Sequence, residues 1–158
     1  MSNVTKIAIF ASGSGSNAEN LALYFKDRPD IDVSLILSDR AQAYVLTRAQ
    51  NLGVPHAFFP RSQFTQDEAG NPVAAYLREN HIDFVILAGF LGKIPAVLIQ
   101  HFPDRMINIH PSLLPRYGGK GMYGDRVHKA VIAAGESHSG ITIHLVNEAY
   151  DEGEVLFQ

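Results

Sequence analysis

Seven short apolar runs punctuate this chain, and helix-patterned stretches separate most of them. The runs cover residues 7–11, 33–37, 57–59, 84–88, 106–109, 141–146 and 155–157. The first, fourth and fifth are apolar without alternation, as strands are when both faces of their sheet are covered. Residues 17–27, 41–52, 72–80, 95–102 and 124–134 carry helical patterning. Pro72 and Pro95 suit a first helical turn, and Gly53 and Gly135 suit the left-handed residue that ends a helix. The alternation predicts an α/β fold: a Rossmann-like, doubly wound, mostly parallel sheet of about seven strands with helices on both faces. A chain of 158 residues, 46% of them hydrophobic, has material for one such domain over residues 1–158.

Several function classes drop out early. A net charge of −3 offers no basic footprint for nucleic acid. No cysteine is present, which excludes disulfides, thiolate metal sites and a Cys nucleophile. No apolar run reaches membrane-spanning length, and the polar start leads straight into the first strand rather than into a signal peptide. The spacing of His138 and His144 matches no metal motif. A cytoplasmic protein with no metal and no membrane or nucleic-acid partner is expected.

In doubly wound sheets, ligands sit outside the carboxyl ends of the strands, near the switch in strand order. After strand one comes Ser12-Gly13-Ser14-Gly15-Ser16-Asn17. Gly13 and Gly15 let backbone amides approach an anion, the Ser and Asn side chains add donors, and the next helix offers its positive end. The chemistry suits a phosphate. The alternative is a plain strand-to-helix turn with a Ser or Asn cap. A further rival is a dinucleotide site, because residues 13–18 fit G-x-G-x-x-A and Asp39 ends strand two, where a ribose-binding carboxylate would lie.

After strand five comes Asn108-Ile109-His110-Pro111-Ser112-Leu113-Leu114-Pro115. Residues two apart on a strand point the same way, so Asn108 and His110 share a face, and Pro111 stops the strand. Asn can hold an oxyanion and His can move a proton near neutral pH. The acidic turn Glu148-Ala149-Tyr150-Asp151-Glu152-Gly153 separates the last two strands. If both loops lie at one end of the sheet, Asp151 can orient the imidazole and favour its charged form. Residues 87–95 run from an apolar strand end through Gly89 and Gly92, a bend whose backbone can hydrogen-bond a flat heterocycle. The glycines of residues 116–124 suggest mobility or close approach of backbone to a ligand.

Together these segments, with Gly140–His144, resemble the glycinamide ribonucleotide formyltransferases, a folate-dependent family of purine synthesis. The resemblance covers nearly the whole chain. It implies that Asn108, His110 and Asp151 form the catalytic trio. It implies that Gly13, Ser14, Gly15, Ser16 and Asn17 hold the substrate phosphate. Leu91, Gly92, Lys93 and Ile94, with Asn108 and with Glu148, Ala149, Tyr150 and Asp151, match the folate-binding positions. The co-substrate would be 10-formyltetrahydrofolate, the acceptor glycinamide ribonucleotide, and no metal would be needed. The family often carries a basic residue just after the position of Leu91. Here Gly92 stands there, followed by Lys93. The family also continues beyond the last strand, with a Glu that holds the ribose, so the domain here is expected to lack the C-terminal segment. A formyltetrahydrofolate hydrolase, with water in place of the amine, is the nearest alternative. A non-catalytic dinucleotide-binding module is a more distant one.

Overall fold

The computed structural model describes residues 3–158. They form one seven-stranded sheet in the order β3-β2-β1-β4-β5-β6-β7. The strands are β1 (Thr5–Phe10), β2 (Ile31–Ser38), β3 (His56–Phe58), β4 (Phe84–Leu87), β5 (Met106–His110), β6 (Thr142–Leu145) and β7 (Val155–Phe157). The helices are α1 (Ser16–Phe25), α2 (Tyr44–Leu52), α3 (Arg61–Phe64), α4 (Pro72–Glu79), α5 (Ala96–His101) and α6 (Asp125–Ala133). Neighbouring strands from β3 through β5 pair in parallel. β6 runs antiparallel to β5, and β7 antiparallel to β6. The sheet is therefore mostly parallel, with an antiparallel edge.

Strand parity divides the core. Ala8 and Phe10 of β1, Leu35 and Leu37 of β2, and Val85 and Leu87 of β4 face one side, against Phe64 of α3, Leu77 of α4 and Leu98 of α5. Ile7, Ile9, Ile36 and Ile86 face the other, against Ala18 of α1 and Val45 and Ala49 of α2. The continuous apolar runs are thus strands buried on both faces. Pro72 opens α4 as expected, while Pro95 caps α5 instead of entering it. Gly53 closes α2 in the left-handed conformation. α3, one turn long, has no periodic pattern to announce it. No helix among the described residues is long and apolar enough to cross a membrane.

The strand order reverses between β1 and β4. The two loops that diverge there are tied together: Ser12 N–H donates to Gly89 O at 3.0 Å, and Leu91 N–H donates to Ser12 Oγ at 2.9 Å. This seam places the glycine-serine loop and the 88–94 bend at the same end of the sheet as the end of β5.

Candidate active site

A cleft of about 560 Å³ opens over the carboxyl ends of β1, β4 and β5. Gly13 and Asn17 line one side, Phe90 and Leu91 a second, and Asn108, His110, Tyr150 and Asp151 the floor and far wall. A narrow slot of about 80 Å³ adjoins it, between Phe90, Gly92, Lys93 and Ile94 on one side and Glu148, Ala149, Tyr150 and Asp151 on the other. Asn108, Phe90, Tyr150 and Asp151 line both spaces.

Asp151 lies between two imidazoles. Its Oδ1 lies 3.5 Å from His110 Nδ1 and 3.7 Å from His144 Nε2. Its Oδ2 accepts from Gly119 N–H at 2.9 Å. Burial alone would raise the Asp151 pKa. The interaction with His144, the Gly119 amide and the charge of both imidazoles outweigh it and hold the carboxyl below its ordinary value. Burial would likewise lower the His144 pKa, but Asp151 and the Leu145 carbonyl raise it overall. Asp151 sits at φ 56°, a left-handed backbone that Asp tolerates better than most residues.

His110 is held from its other side as well. Its Nε2–H donates to Tyr117 O at 2.9 Å. Tyr117 has φ 58° and its hydroxyl donates to Glu136 at 2.8 Å, so contacts at both ends maintain a strained residue next to the site. Both imidazoles are almost wholly buried, each 3% exposed. Asn108 Nδ2 lies 3.0 Å from His144 Nε2, and His144 Nδ1 lies 2.8 Å from Leu145 O.

His144, whose spacing fits no metal motif, enters the site through the sheet. Asn108 pairs with His144, and His110 with Thr142, across the antiparallel β5–β6 ladder. Only that strand direction and register bring His144 to Asn108. Arg40, Lys120 and Arg126 also line the cleft, though no motif in the sequence marks them. They add positive charge to its lining.

The glycine-serine loop divides its labour. Gly13 and Asn17 reach the cleft. Ser12 is buried at the edge of the cleft; its Oγ accepts from Leu91 N–H and keeps its own proton to donate. Ser14 is engaged by Arg48, whose Nε donates to Ser14 O at 2.8 Å. Gly15 caps α1 at φ 78°, and a Cβ there would lie 2.3 Å from Val45 Cγ2. Ser16 opens α1 and does not line the cleft. No side chain caps α1, which leaves its first amides for water or an anion. Asp39, the candidate ribose ligand, is fully buried, with Oδ2 accepting from Arg61 Nε at 2.8 Å and Oδ1 unpartnered. It is turned into the α3 contact, which removes the feature that favoured a dinucleotide.

In the Gly-rich segment, Gly118 packs closely on protein, while Gly119, Gly121 and Gly124 line the cleft. A Cβ on Gly118 would meet Leu114 Cδ2 at 2.5 Å and Asp151 Cβ at 3.3 Å. Gly119 supplies the amide that fixes Asp151. Lys120 and Gly121 line the cleft beside it.

A family model described as formyl transferase matches residues 5–158. The chloroplastic phosphoribosylglycinamide formyltransferase of Arabidopsis thaliana is 42% identical over 156 residues, covering 97% of this chain and 53% of that protein. The phosphoribosylglycinamide formyltransferase of Haemophilus influenzae is 35% identical over 97% of this chain and 71% of its own length. The crystal structure of phosphoribosylglycinamide formyltransferase from Streptococcus pneumoniae TIGR4 superposes with a TM-score of 0.84 at 35% identity, over 98% of this chain and 81% of that one. The chain spans about half the length of the plant relatives it matches. Matched from the start of β1 through the end of β7 and alike in both sequence and fold, the chain belongs to the formyl transferase family.

Proposed function

We propose that this domain transfers the formyl group of 10-formyltetrahydrofolate to the amine of glycinamide ribonucleotide, a step of purine biosynthesis. The observation that carries this reading is the Asp151 carboxylate set between His110 and His144, beside an Asn108 amide shared by cleft and slot. The slot suits the flat ring system of the folate. Phe90 and Ile94 give it apolar walls, and the backbone of residues 92–94 offers hydrogen bonds. The cleft suits the ribonucleotide, with the uncapped end of α1, Gly13, Asn17 and the positive charge of the lining for its phosphate.

In this reading the substrate amine attacks the formyl carbon where the two spaces meet. A C–N bond forms to the amine and the bond to N10 breaks. Asn108 donates to the oxyanion that develops on the formyl oxygen, and His110 lies beside it to stabilise charge. Asp151, kept ionised, orients both imidazoles. The amine proton passes to the leaving N10, directly or through water.

The decisive assay offers 10-formyltetrahydrofolate with and without glycinamide ribonucleotide. Formyl transfer that depends on the amine is expected. Deformylation without it would make the protein a hydrolase, and NAD binding without folate turnover would make it a nucleotide-binding module. Asn108→Ala is expected to lower kcat about 100- to 1,000-fold, the usual effect of losing one oxyanion donor, while ribonucleotide binding by calorimetry stays within about two-fold.

A further inference from the structure

We infer that His144 decides which edge of the Asn108 amide faces the reacting centre, and is thus a positioning residue for formyl transfer. The inference rests on the transferase reading for its catalytic consequence and on local geometry for its switch. His144 Nδ1 lies 2.8 Å from Leu145 O. A carbonyl only accepts, so Nδ1 keeps its proton in every state. All of the titration then falls on Nε2, which lies 3.0 Å from the Asn108 side chain.

Two arrangements follow. With Nε2 bare, it accepts from Asn108 Nδ2, as in this structure. Nδ2 then spends one of its two N–H donors on His144, and Oδ1, which repels an oxyanion, takes the edge turned away from it. With Nε2 protonated, it can only donate, and the amide reverses to offer Oδ1. Nδ2 is released to the opposite edge, where it can donate to charge on the formyl oxygen. The amide stays in place during this half-turn, because Asn108 and His144 are paired residues of the β5–β6 ladder. His144 is 3% exposed, so little water can satisfy a misplaced edge.

The groups around His144 favour the protonated arrangement. Asp151 Oδ1, from the β6–β7 loop, is 3.7 Å from Nε2. On the β5 side, His110 shares that carboxylate at 3.5 Å. Lys93, Glu148 and Tyr150 line the same slot. On the β7 side, Glu154 offers only its carbonyl, which accepts from Leu145 N–H. The net upward displacement of the His144 pKa agrees with this balance.

The test has a spectroscopic and a kinetic arm. In the wild-type protein without substrate, long-range 1H–15N spectra across pH should show Nδ1 protonated throughout. The Asn108 side-chain NH2 signals should move with the same midpoint as His144 Nε2. Asn108 signals indifferent to that titration overturn the inference, whatever the protein turns over. In the kinetic arm, His144→Ala is expected to lower kcat about tenfold with both KM values within about two-fold, less than deleting the donor because the freed amide samples both edges. The wild-type fall in kcat as pH rises through the His144 pKa should disappear. Added to Asn108→Ala, His144→Ala should cost less than about two-fold more, since it acts through that amide. Multiplying effects would overturn the inference. If His144→Ala does not fold, the spectroscopic arm decides. If wild-type protein transfers no formyl group, the transferase reading falls while the amide coupling is still read from the spectra.

Discussion

Gly92 is the position where a single added methyl group would press on both the core and the slot proposed for the folate. A Cβ there would lie 2.8 Å from Phe90 Cε1 and 2.9 Å from Cζ, roughly 0.7 Å short of ordinary carbon contact. The ring has little room to retreat into the core. It packs against Phe10 at 5.6 Å and Phe64 at 4.9 Å between ring centres, and both partners are fully buried. In Gly92→Ala the ring must swing toward the slot or the 89–94 bend must shift. Overpacking of this kind costs about 1–3 kcal/mol. Taken up as lost stability, that lowers Tm by about 2–4 °C per kcal/mol for a domain of this size. Taken up by narrowing the slot, it raises the KM for 10-formyltetrahydrofolate by roughly 5- to 150-fold. Thermal unfolding together with kinetics at saturating ribonucleotide measures both parts, and the KM for ribonucleotide should stay within about two-fold. An unchanged Tm together with an unchanged folate KM would refute the claim that Phe90 is immobile and forms the slot wall.

Asp151→Asn tests the ion cluster through pH. Asp151 is depressed below 3.8, so its contribution is complete above that value and lost as pH falls through the folded pKa. His144 is raised above 6.5, so its contribution is complete below that value and lost as pH rises through the folded pKa. The difference in Tm between wild type and variant should peak between these ordinary values and shrink on either side, and a pH-independent difference would count against the cluster. Gly15→Ala combines a left-handed backbone penalty of about 1–2 kcal/mol with a Cβ 2.8 Å from the Val45 backbone. Denaturant unfolding should show a loss of about 2–5 kcal/mol, and a loss under about 1 kcal/mol would mean the α1–α2 contact yields easily.

The sheet and its chemistry were legible to different depths. β1 and β4 declared themselves because Ile7, Ile9, Val85 and Ile86 leave no polar face, and the loops after them follow from Gly13 and Gly89. Asn108 and His110 stand out as a polar pair at a strand end, and Asp151 as an acid in the turn that the structure sets beside His110. His144 is not marked in this way, since a His in β6, between β5 and β7, gains its meaning only from its antiparallel partner, and periodicity carries no strand direction. The same limit hid the roles of Ser12 and Ser14. A serine that accepts from Leu91 N–H and one bound by Arg48 read identically to two phosphate donors until the long-range contacts exist. α3 escaped because one helical turn is too short to show a period, though Phe64 within it is among the largest fully buried side chains.

The direction change between β5 and β6 also has a consequence for evolvability. Asn108 and His144 are far apart in the chain, yet they are rungs of one ladder, and the segment between them leaves the sheet and returns to it. That excursion carries Lys120 and Arg126, which line the cleft proposed for the ribonucleotide, and Tyr117, whose carbonyl holds His110. Insertions, deletions and charge changes in it leave the rung spacing untouched so long as both strands keep their register. Under the proposed roles, acceptor preference can drift in the excursion while the β5–β6 pairing of Asn108 and His144 is inherited unchanged.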